Sequence, residues 1–200
     1  MKHLFGILTA LFILASVETV FANSNANESP NFGDGVAAYS LQNYEKAVQI
    51  WSVLAEQGSA DAAFRLAQLY DLGFGVEYNP DEVVKWLSMA SEQGHTSAQF
   101  MLAEIYRIGK GVRVDNNKAF ALYSVAAENG HPQAMYQLAS IYYLGENVEK
   151  NLFLSAFWFY RASEDLNSAA QKQIAKDLYG SVFESLSDKE KLSLLKLLSL

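Results

Sequence analysis

Histidine is the residue type of this chain with the most versatile chemistry, because imidazole can bind a metal ion or transfer a proton near neutral pH. His95 and His131 are 36 residues apart, and each directly follows a glycine. Equivalent positions in stacked helices are about 10 Å apart, so these imidazoles cannot share a zinc ion, which binds nitrogen at about 2.0–2.1 Å. We therefore predict that both histidines stabilise the start of a following helix, and that the chain holds no metal or other cofactor.

Four glutamates recur at the same interval: Glu56, Glu92, Glu128 and Glu164. Glycoside cleavage needs two carboxyl groups about 5–9.5 Å apart, a separation that neighbouring repeats could provide. A recurring carboxylate near a helix end is more often solvated or bonded to a turn. There is no cysteine, no serine is paired with a base, and neither histidine has an acidic partner nearby in the sequence. The chain is therefore predicted not to be an enzyme.

These residues belong to a unit that recurs every 36 residues. Ala-Glu-Gln-Gly at 55–58 returns in related form at 91–94 and 127–130, and a tyrosine stands twelve residues after each glycine. A fixed period of this length indicates one supersecondary unit that is copied and stacked. The fold is therefore expected to be an array of repeats.

Each unit contains two helical patterns. The first reads Ala-x-x-x-Leu-Ala-x-x-Tyr, as at 62–70, and its spacings place these side chains on one helix face. A Gly-x-Gly loop follows, as at 73–75, and leads to a second amphipathic helix. Asn147 replaces the second glycine in the third unit and is expected to keep the turn, because asparagine tolerates positive φ.

The pattern predicts an all-α solenoid of antiparallel helix pairs. Half of the residues are hydrophobic and only three are proline, which favours helices packed around a core without disulfides. About ten helices are predicted, at approximately 32–40, 44–57, 60–72, 80–93, 96–108, 116–129, 132–144, 152–165, 168–182 and from Ser187 onwards.

The charge of the chain limits its partners. The net charge is −7, from 22 acidic and 15 basic residues. No run of lysine or arginine is long enough to neutralise a nucleic-acid backbone, and an acidic surface is poorly suited to anionic lipid. The expected partners are other proteins.

The N-terminus has the pattern of a secretory signal peptide. Lys2 precedes an apolar stretch over residues 4–17, and Val20 and Ala22 supply the small residues of a cleavage site. The stretch is shorter than the about 20 residues of a membrane span, so cleavage after Ala22 is expected rather than a retained anchor. The mature protein would be periplasmic or secreted without stable membrane insertion, and residues 23–31 would form a polar linker.

The combined motif resembles the Sel1-like repeat, a relative of the tetratricopeptide repeat. It reads Ala-x-x-x-Leu-Ala-x-x-Tyr-x-x-Gly-x-Gly-Val, then a polar loop, then a helix that ends in Ala-Glu-Gln-Gly-His. The clear copies are residues 60–95, 96–131 and 132–167, and Leu166 stands in place of the last closing glycine. The resemblance implies a right-handed α-solenoid, which we place at residues 32–185, and a role as an adaptor between proteins.

Three functions follow from the resemblance. The first is a non-catalytic protein-interaction scaffold in the cell envelope or secreted. The second is a cell-wall protein that binds or hydrolyses peptidoglycan or a β-lactam, as some cysteine-rich members imply, although this chain has no cysteine. The third is a structural subunit of an envelope motility or secretion complex.

Specific binding is expected at positions that differ between the copies. The first helix of each unit should line the concave side of the solenoid. The predicted groove residues on these helices are Arg65, Gln68, Glu104, Arg107, Gln137 and Tyr143. Aromatic residues are enriched at binding hot spots, and the further anchor candidates are Phe74, Tyr78, Trp86, Phe157 and Trp158. The favoured alternative for each of them is burial against the neighbouring repeat.

The C-terminal segment, residues 186–200, is rich in leucine. The end of a solenoid exposes apolar surface and needs a cap, so this segment is predicted to be a capping helix. Ser187 and Glu190 have the spacing of a capping box at its start. The alternative is a helix that docks a partner or mediates self-association.

Overall fold

The computed structural model describes residues 30–199, so the predicted signal peptide and nearly all of the predicted linker lie outside the described residues. Within residues 30–199 the chain forms ten helices and no strand. They are α1 (Phe32–Ser40), α2 (Tyr44–Glu56), α3 (Ala60–Leu72), α4 (Pro80–Glu92), α5 (Thr96–Ile108), α6 (Asn116–Glu128), α7 (Pro132–Leu144), α8 (Leu152–Asp165), α9 (Ala169–Glu184) and α10 (Asp188–Leu198).

The helices form a continuous zigzag. From α1 to α9 each helix packs against the next one along the chain, and α10 packs on α8. The connections are short, so consecutive helices run antiparallel. The predicted all-α solenoid with about ten helices is confirmed, and most helix bounds lie within one residue of the predicted ones.

Small and large side chains recur in the core one repeat apart. Ala62, Ala98 and Ala134 are fully buried, which allows neighbouring helices to approach closely. Each of the four second helices α2, α4, α6 and α8 buries one large side chain at an equivalent position. These side chains are Trp51, Leu87, Tyr123 and Phe159. Burying one large apolar side chain contributes about 1.5–3 kcal/mol, so this row is a major source of stability.

Both histidines start helices, as predicted. The Nδ1 atom of His95 accepts a hydrogen bond from the backbone N–H of Ala98 at 3.1 Å. His131 does the same for the N–H of Ala134 at 3.3 Å. Each imidazole therefore satisfies one of the backbone donors that the first turn of a helix leaves unpaired.

The histidine rings also join successive repeats. His95 stacks on Phe64 with ring centroids 4.3 Å apart, and His131 stacks on Phe100 at 4.5 Å. The carboxylate of Asp61 lies 3.5 Å from Nε2 of His95. This acidic partner was missed in the sequence because it comes from the preceding repeat, 34 positions earlier.

The two glycines of the Gly-x-Gly loop serve different purposes. Gly73 ends α3 in the left-handed conformation, with φ of 68°. Gly75 allows a close approach, since a Cβ at that position would lie 2.4 Å from the carbonyl carbon of Tyr44 in the preceding helix pair. Asn147 keeps the positive φ of the third loop, at 59°, as predicted.

The third unit, residues 132–167, departs from the pattern at its closing turn. Leu166 is buried and continues the chain in an extended conformation, with φ of −62° and ψ of 139°. The side chain of Ser168 then caps α9, one residue after the position that His95 and His131 hold in earlier units. The irregular turn therefore changes how α9 joins the array.

Helix α10 closes the C-terminal end of the described chain. The predicted capping box is present, and the N–H of Ser187 donates to the carboxylate of Glu190 at 2.9 Å. Leu194 is fully buried in a cluster with Phe159 and Val182. Three leucines of the same helix are exposed: Leu192, Leu195 and Leu197.

We predict that Gly75→Ala destabilises the protein more than Gly94→Ala. Both glycines have positive φ, +70° and +82°, which costs other residues about 1–2 kcal/mol. A Cβ at Gly94 would meet no atom within 4 Å, whereas one at Gly75 would meet the backbone of α2 and add about 1–3 kcal/mol of overpacking. Urea unfolding followed by circular dichroism measures both changes. Equal losses would show that the close approach is unnecessary.

Candidate protein-binding face

The odd-numbered helices from α1 to α9 form one side of the array, the first-helix face. Three outward positions on α3, α5 and α7 recur one repeat apart. Their residues are Arg65, Met101 and Gln137; Gln68, Glu104 and Ser140; and Asp71, Arg107 and Tyr143. None of these nine side chains is fully buried, and the chemistry changes at each position. The face therefore has a different surface in each repeat.

A cleft of about 270 Å³, the N-terminal cleft, lies between α1 and α3. Its lining is Val36, Tyr39, Trp51, Arg65, Gln68, Leu69 and Leu72. The guanidinium of Arg65 donates to the side-chain carbonyl of Gln68 at 3.1 Å. Arg65 forms no ion pair within residues 30–199. The cleft therefore combines an apolar lining with one positive charge that no described carboxylate offsets.

A hydrogen-bond network occupies the middle of the face. The hydroxyl of Tyr123 donates to Glu104, and the Nε–H of Arg107 donates to the Tyr123 oxygen at 3.2 Å. A second nitrogen of Arg107 donates to Glu104 at 2.6 Å. The side-chain amide of Gln137 donates to the same carboxylate at 3.5 Å. The network thus joins α5, α6 and α7.

The network holds its side chains in fixed positions. Burial raises the pKa of the Tyr123 hydroxyl, and its hydrogen bond to Glu104 raises that pKa further. The hydrogen bond to Glu104 raises the pKa of Arg107. The hydroxyl therefore stays protonated and the guanidinium stays charged, so both remain donors to the carboxylate of Glu104.

A second cleft of about 320 Å³, the C-terminal cleft, lies where α7 meets α9. Its lining is Phe100, Gln133, Tyr136, Gln137, Leu166, Gln171 and Ile174. Gln137 belongs both to this cleft and to the network, so the two features are continuous.

The structure places the six predicted groove residues in three locations. Two line the N-terminal cleft: Arg65 and Gln68. Three form the network: Glu104, Arg107 and Gln137. Tyr143 is 40% exposed near the end of α7, where Lys150 Nζ lies 5.2 Å from its ring, and it lines neither cleft.

Sequence reasoning missed the polar role of Tyr123. Its spacing correctly indicated burial, since it shares a register with Trp51 and Leu87. Its hydroxyl is the one polar group in that row that reaches a carboxylate, that of Glu104. A tyrosine at a core position opposite a glutamate on the neighbouring helix was the available signal.

The further aromatic candidates are mostly packed against the protein. Trp86 is buried, as the favoured alternative predicts, and it is not a surface anchor. Phe74 stacks on a tyrosine of α2 with centroids 4.7 Å apart but is still 37% exposed. Phe157 and Trp158 pack edge to face at 5.0 Å. Tyr78 is 52% exposed in its loop and remains an accessible candidate.

No cluster of three or more candidate ligands in residues 30–199 could hold a metal ion. None of the helices in that range has the length and apolar character needed to cross a membrane. The four recurring glutamates are exposed, as expected for solvated groups near helix ends.

The architecture places the protein among the α-solenoids built from helical repeats. The Sel1 repeat matches four consecutive stretches, residues 32–59, 60–95, 96–131 and 132–165. These cover most of the chain, which therefore belongs to the Sel1 repeat family. Sel1 repeat proteins are generally protein-interaction scaffolds, and the fold is generally non-catalytic. No curated protein matches the chain.

The chain is also similar to solved structures. A Sel1 repeat protein from Oxalobacter formigenes is 26% identical, with 82% of this chain and 74% of that chain covered and a TM-score of 0.66. A protective antigen of uropathogenic Escherichia coli with an SLR fold is 25% identical, with coverages of 87% and 50% and a TM-score of 0.37. An immunity protein from Pseudomonas aeruginosa is 17% identical, with coverages of 78% and 87% and a TM-score of 0.34.

We predict that Glu104→Ala destabilises the protein by about 2 kcal/mol, because it leaves the buried Tyr123 hydroxyl without its acceptor. Gln68→Ala is the matched control, since Gln68 holds the equivalent position one repeat earlier and bonds only the exposed Arg65. That change should cost less than about 0.5 kcal/mol. Chemical denaturation of both variants gives the comparison, and similar losses would mean that the network does not stabilise the fold.

We predict that His131 makes stability fall below about pH 6.5. Burial lowers the pKa of His131 in the folded protein, so the unfolded chain takes up the proton first as the pH falls. The effect is absent above the unfolded pKa of about 6.5 and grows as the pH drops towards the folded value. His131→Asn keeps a capping oxygen without the titration. Its Tm should fall less than that of the wild type between about pH 7.5 and about pH 5.5. An equal decrease of Tm with pH in both proteins would contradict this prediction.

Proposed function

We propose that the protein is an exported, non-catalytic scaffold that binds other proteins along its first-helix face, in the cell envelope or outside the cell. The observation that carries this proposal is the contrast between a repeated core and a changing surface. Ala62, Ala98 and Ala134 are identical and buried, whereas Arg65, Met101 and Gln137, three positions further on, differ completely. A scaffold needs this combination, because the core maintains the shape while the surface selects the partner.

The physical character of the face supports protein binding. The N-terminal cleft places Arg65 beside Tyr39 and Leu72, and interface hot spots are enriched in arginine and aromatic residues. The central network pairs Glu104 with Arg107, so that part of the face carries no net charge. A partner would therefore find a fixed, uneven surface with one dominant positive charge.

Export is the second part of the proposal, and the N-terminal sequence supports it. Residues 4–17 are apolar, Lys2 precedes them, and a small-residue site ends at Ala22. The absence of cysteine removes any need for disulfide formation after export. The proposed mature protein starts at Asn23 and is periplasmic or secreted.

Self-association through α10 is the third part of the proposal. Leu194 attaches this helix to the array, and three exposed leucines lie on its remaining surface. Leu192 and Leu195 are three residues apart and share one helix face, both at least half exposed. This face offers an apolar surface to a second copy.

The test is chemical cross-linking in intact cells followed by mass spectrometry, comparing two double variants. Arg65→Glu with Tyr143→Ala changes the first-helix face. Lys85→Glu with Val125→Ala changes exposed positions on α4 and α6 and is the matched control. The first variant should capture at least about tenfold less of its protein partners, corresponding to the loss of about 1.4 kcal/mol of binding free energy.

The same experiment tests the other parts of the proposal. Recovery of the protein in the envelope or medium with Asn23 as its first residue would support export, and retention of Met1 would contradict it. Cross-links between copies at α10 would support self-association. Equal capture by both double variants would rule out the first-helix face. Turnover of a β-lactam or of muropeptides by the purified protein would contradict the non-catalytic role.

A further inference from the structure

We propose that the C-terminal cleft binds an aromatic side chain presented by an extended, uncharged segment of a partner protein. This inference rests on the proposed scaffold function and names the chemistry of a partner for one part of the first-helix face.

The cleft lies where the repeat pattern lacks a ring. In the regular units His95 stacks on Phe64 and His131 stacks on Phe100, with ring centroids 4.3 and 4.5 Å apart. The next aromatic ring in this register is Tyr136, and the next histidine position is occupied by Asn167, which has no ring to place there. Tyr136 lines the C-terminal cleft instead.

The helix on the other side of the cleft is also irregular. Gln171 lies three residues after the cap of its helix, as do Ala62, Ala98 and Ala134, which are all buried, but it is itself exposed. Ile174 lies six residues after the cap, at the outward position that Gln137 holds on α7, and it is 50% exposed. An amide and an apolar side chain therefore line an open space.

The lining selects against charged ligands. Apart from the tyrosine hydroxyl, the cleft contains no ionisable group, although 18% of the residues in the chain are charged. A charged side chain would lose its hydration there without gaining an opposite charge. An aromatic ring could bury its surface against Leu166 and Ile174 and contact the ring of Tyr136, an arrangement that aromatic pairs favour.

The polar residues of the cleft suit a peptide backbone. Gln133, Gln137 and Gln171 each carry an amide, which can both donate and accept hydrogen bonds. Within residues 30–199, the only side-chain hydrogen bond that any of these amides makes is the 3.5 Å contact from Gln137 to Glu104. Amides around an apolar site match the alternating N–H and C=O groups of an extended segment. The cleft volume of about 320 Å³ is within the range of small-ligand sites, about 300–1,000 Å³.

The test uses the purified protein and the blocked, uncharged probe acetyl-Gly-Ser-Phe-Ser-Gly-amide. Analogues with leucine or alanine in place of phenylalanine serve as probe controls. Methyl NMR of isotope-labelled isoleucine and leucine reports binding at Leu166 and Ile174. The phenylalanine probe should bind with a dissociation constant on the order of 1 mM and shift both methyl signals, and the alanine probe should bind more than tenfold more weakly.

Two isoleucines of similar exposure, Ile174 and Ile108, are substituted to provide the protein control. Ile174→Lys places a charge in the cleft and should abolish binding of the phenylalanine probe. Ile108→Lys should leave binding unchanged, since Ile108 is 53% exposed and does not line the cleft. Circular dichroism of both variants verifies that each remains folded.

Four results would overturn the proposal. Equal shifts from the phenylalanine and leucine probes would show an apolar patch without preference for a ring. Absence of shifts up to the solubility limit of the probe would show that the cleft does not bind it. Concentration-dependent shifts without probe would show that a second copy fills the cleft. Partner capture lost through Arg65→Glu with Tyr143→Ala, but retained in Ile174→Lys, would overturn the cleft proposal alone and leave the scaffold function intact.

Discussion

The close approach of successive helix pairs is the constraint on which the structure depends. A single helix pair cannot bury its own apolar surface, so stability comes from the contact with the next pair. That contact requires small residues at fixed places. Ala62 and its equivalents are buried without any exposed surface, and a Cβ at Gly75 or Gly111 would lie 2.4 Å from an atom of the preceding pair. Most small residues of the repeated motif therefore lie where the backbones of successive helix pairs approach most closely.

This constraint separates the residues that form the fold from those that can bind a partner. The small core positions such as Ala62 cannot take a larger residue without altering the spacing between repeats, while outward positions such as Arg65 and Gln137 can change. Tyr123 is the exception, because its ring belongs to the core and its hydroxyl bonds Glu104 on the binding face. The network therefore connects the rigid interior to the surface and fixes the orientation of Arg107.

Most of the fold could be predicted because its determinants are local and repeat. Alanine and leucine spacing indicated each helix, and the histidine, glycine and Ser187 positions indicated where helices begin or end. The arrangement of the candidate site was less predictable, because its contacts join different repeats. Asp61 reaches His95, and Gln137 reaches Glu104, across more than thirty residues.

The third unit, residues 132–167, shows how a binding site can arise from the loss of a repeat feature. In regular units the contact between successive helix pairs is filled by three features: the closing glycine, the histidine ring and the first turn of the next helix. Here Leu166 replaces the closing glycine and Asn167 replaces the histidine, so the imidazole ring is missing. The cap of the following helix moves to Ser168. The array continues because Leu166 and Ala175 are still buried in its core. The same change leaves Ile174 exposed beside Tyr136. At this irregular contact between helix pairs, a partner can therefore supply the aromatic ring that the chain lacks.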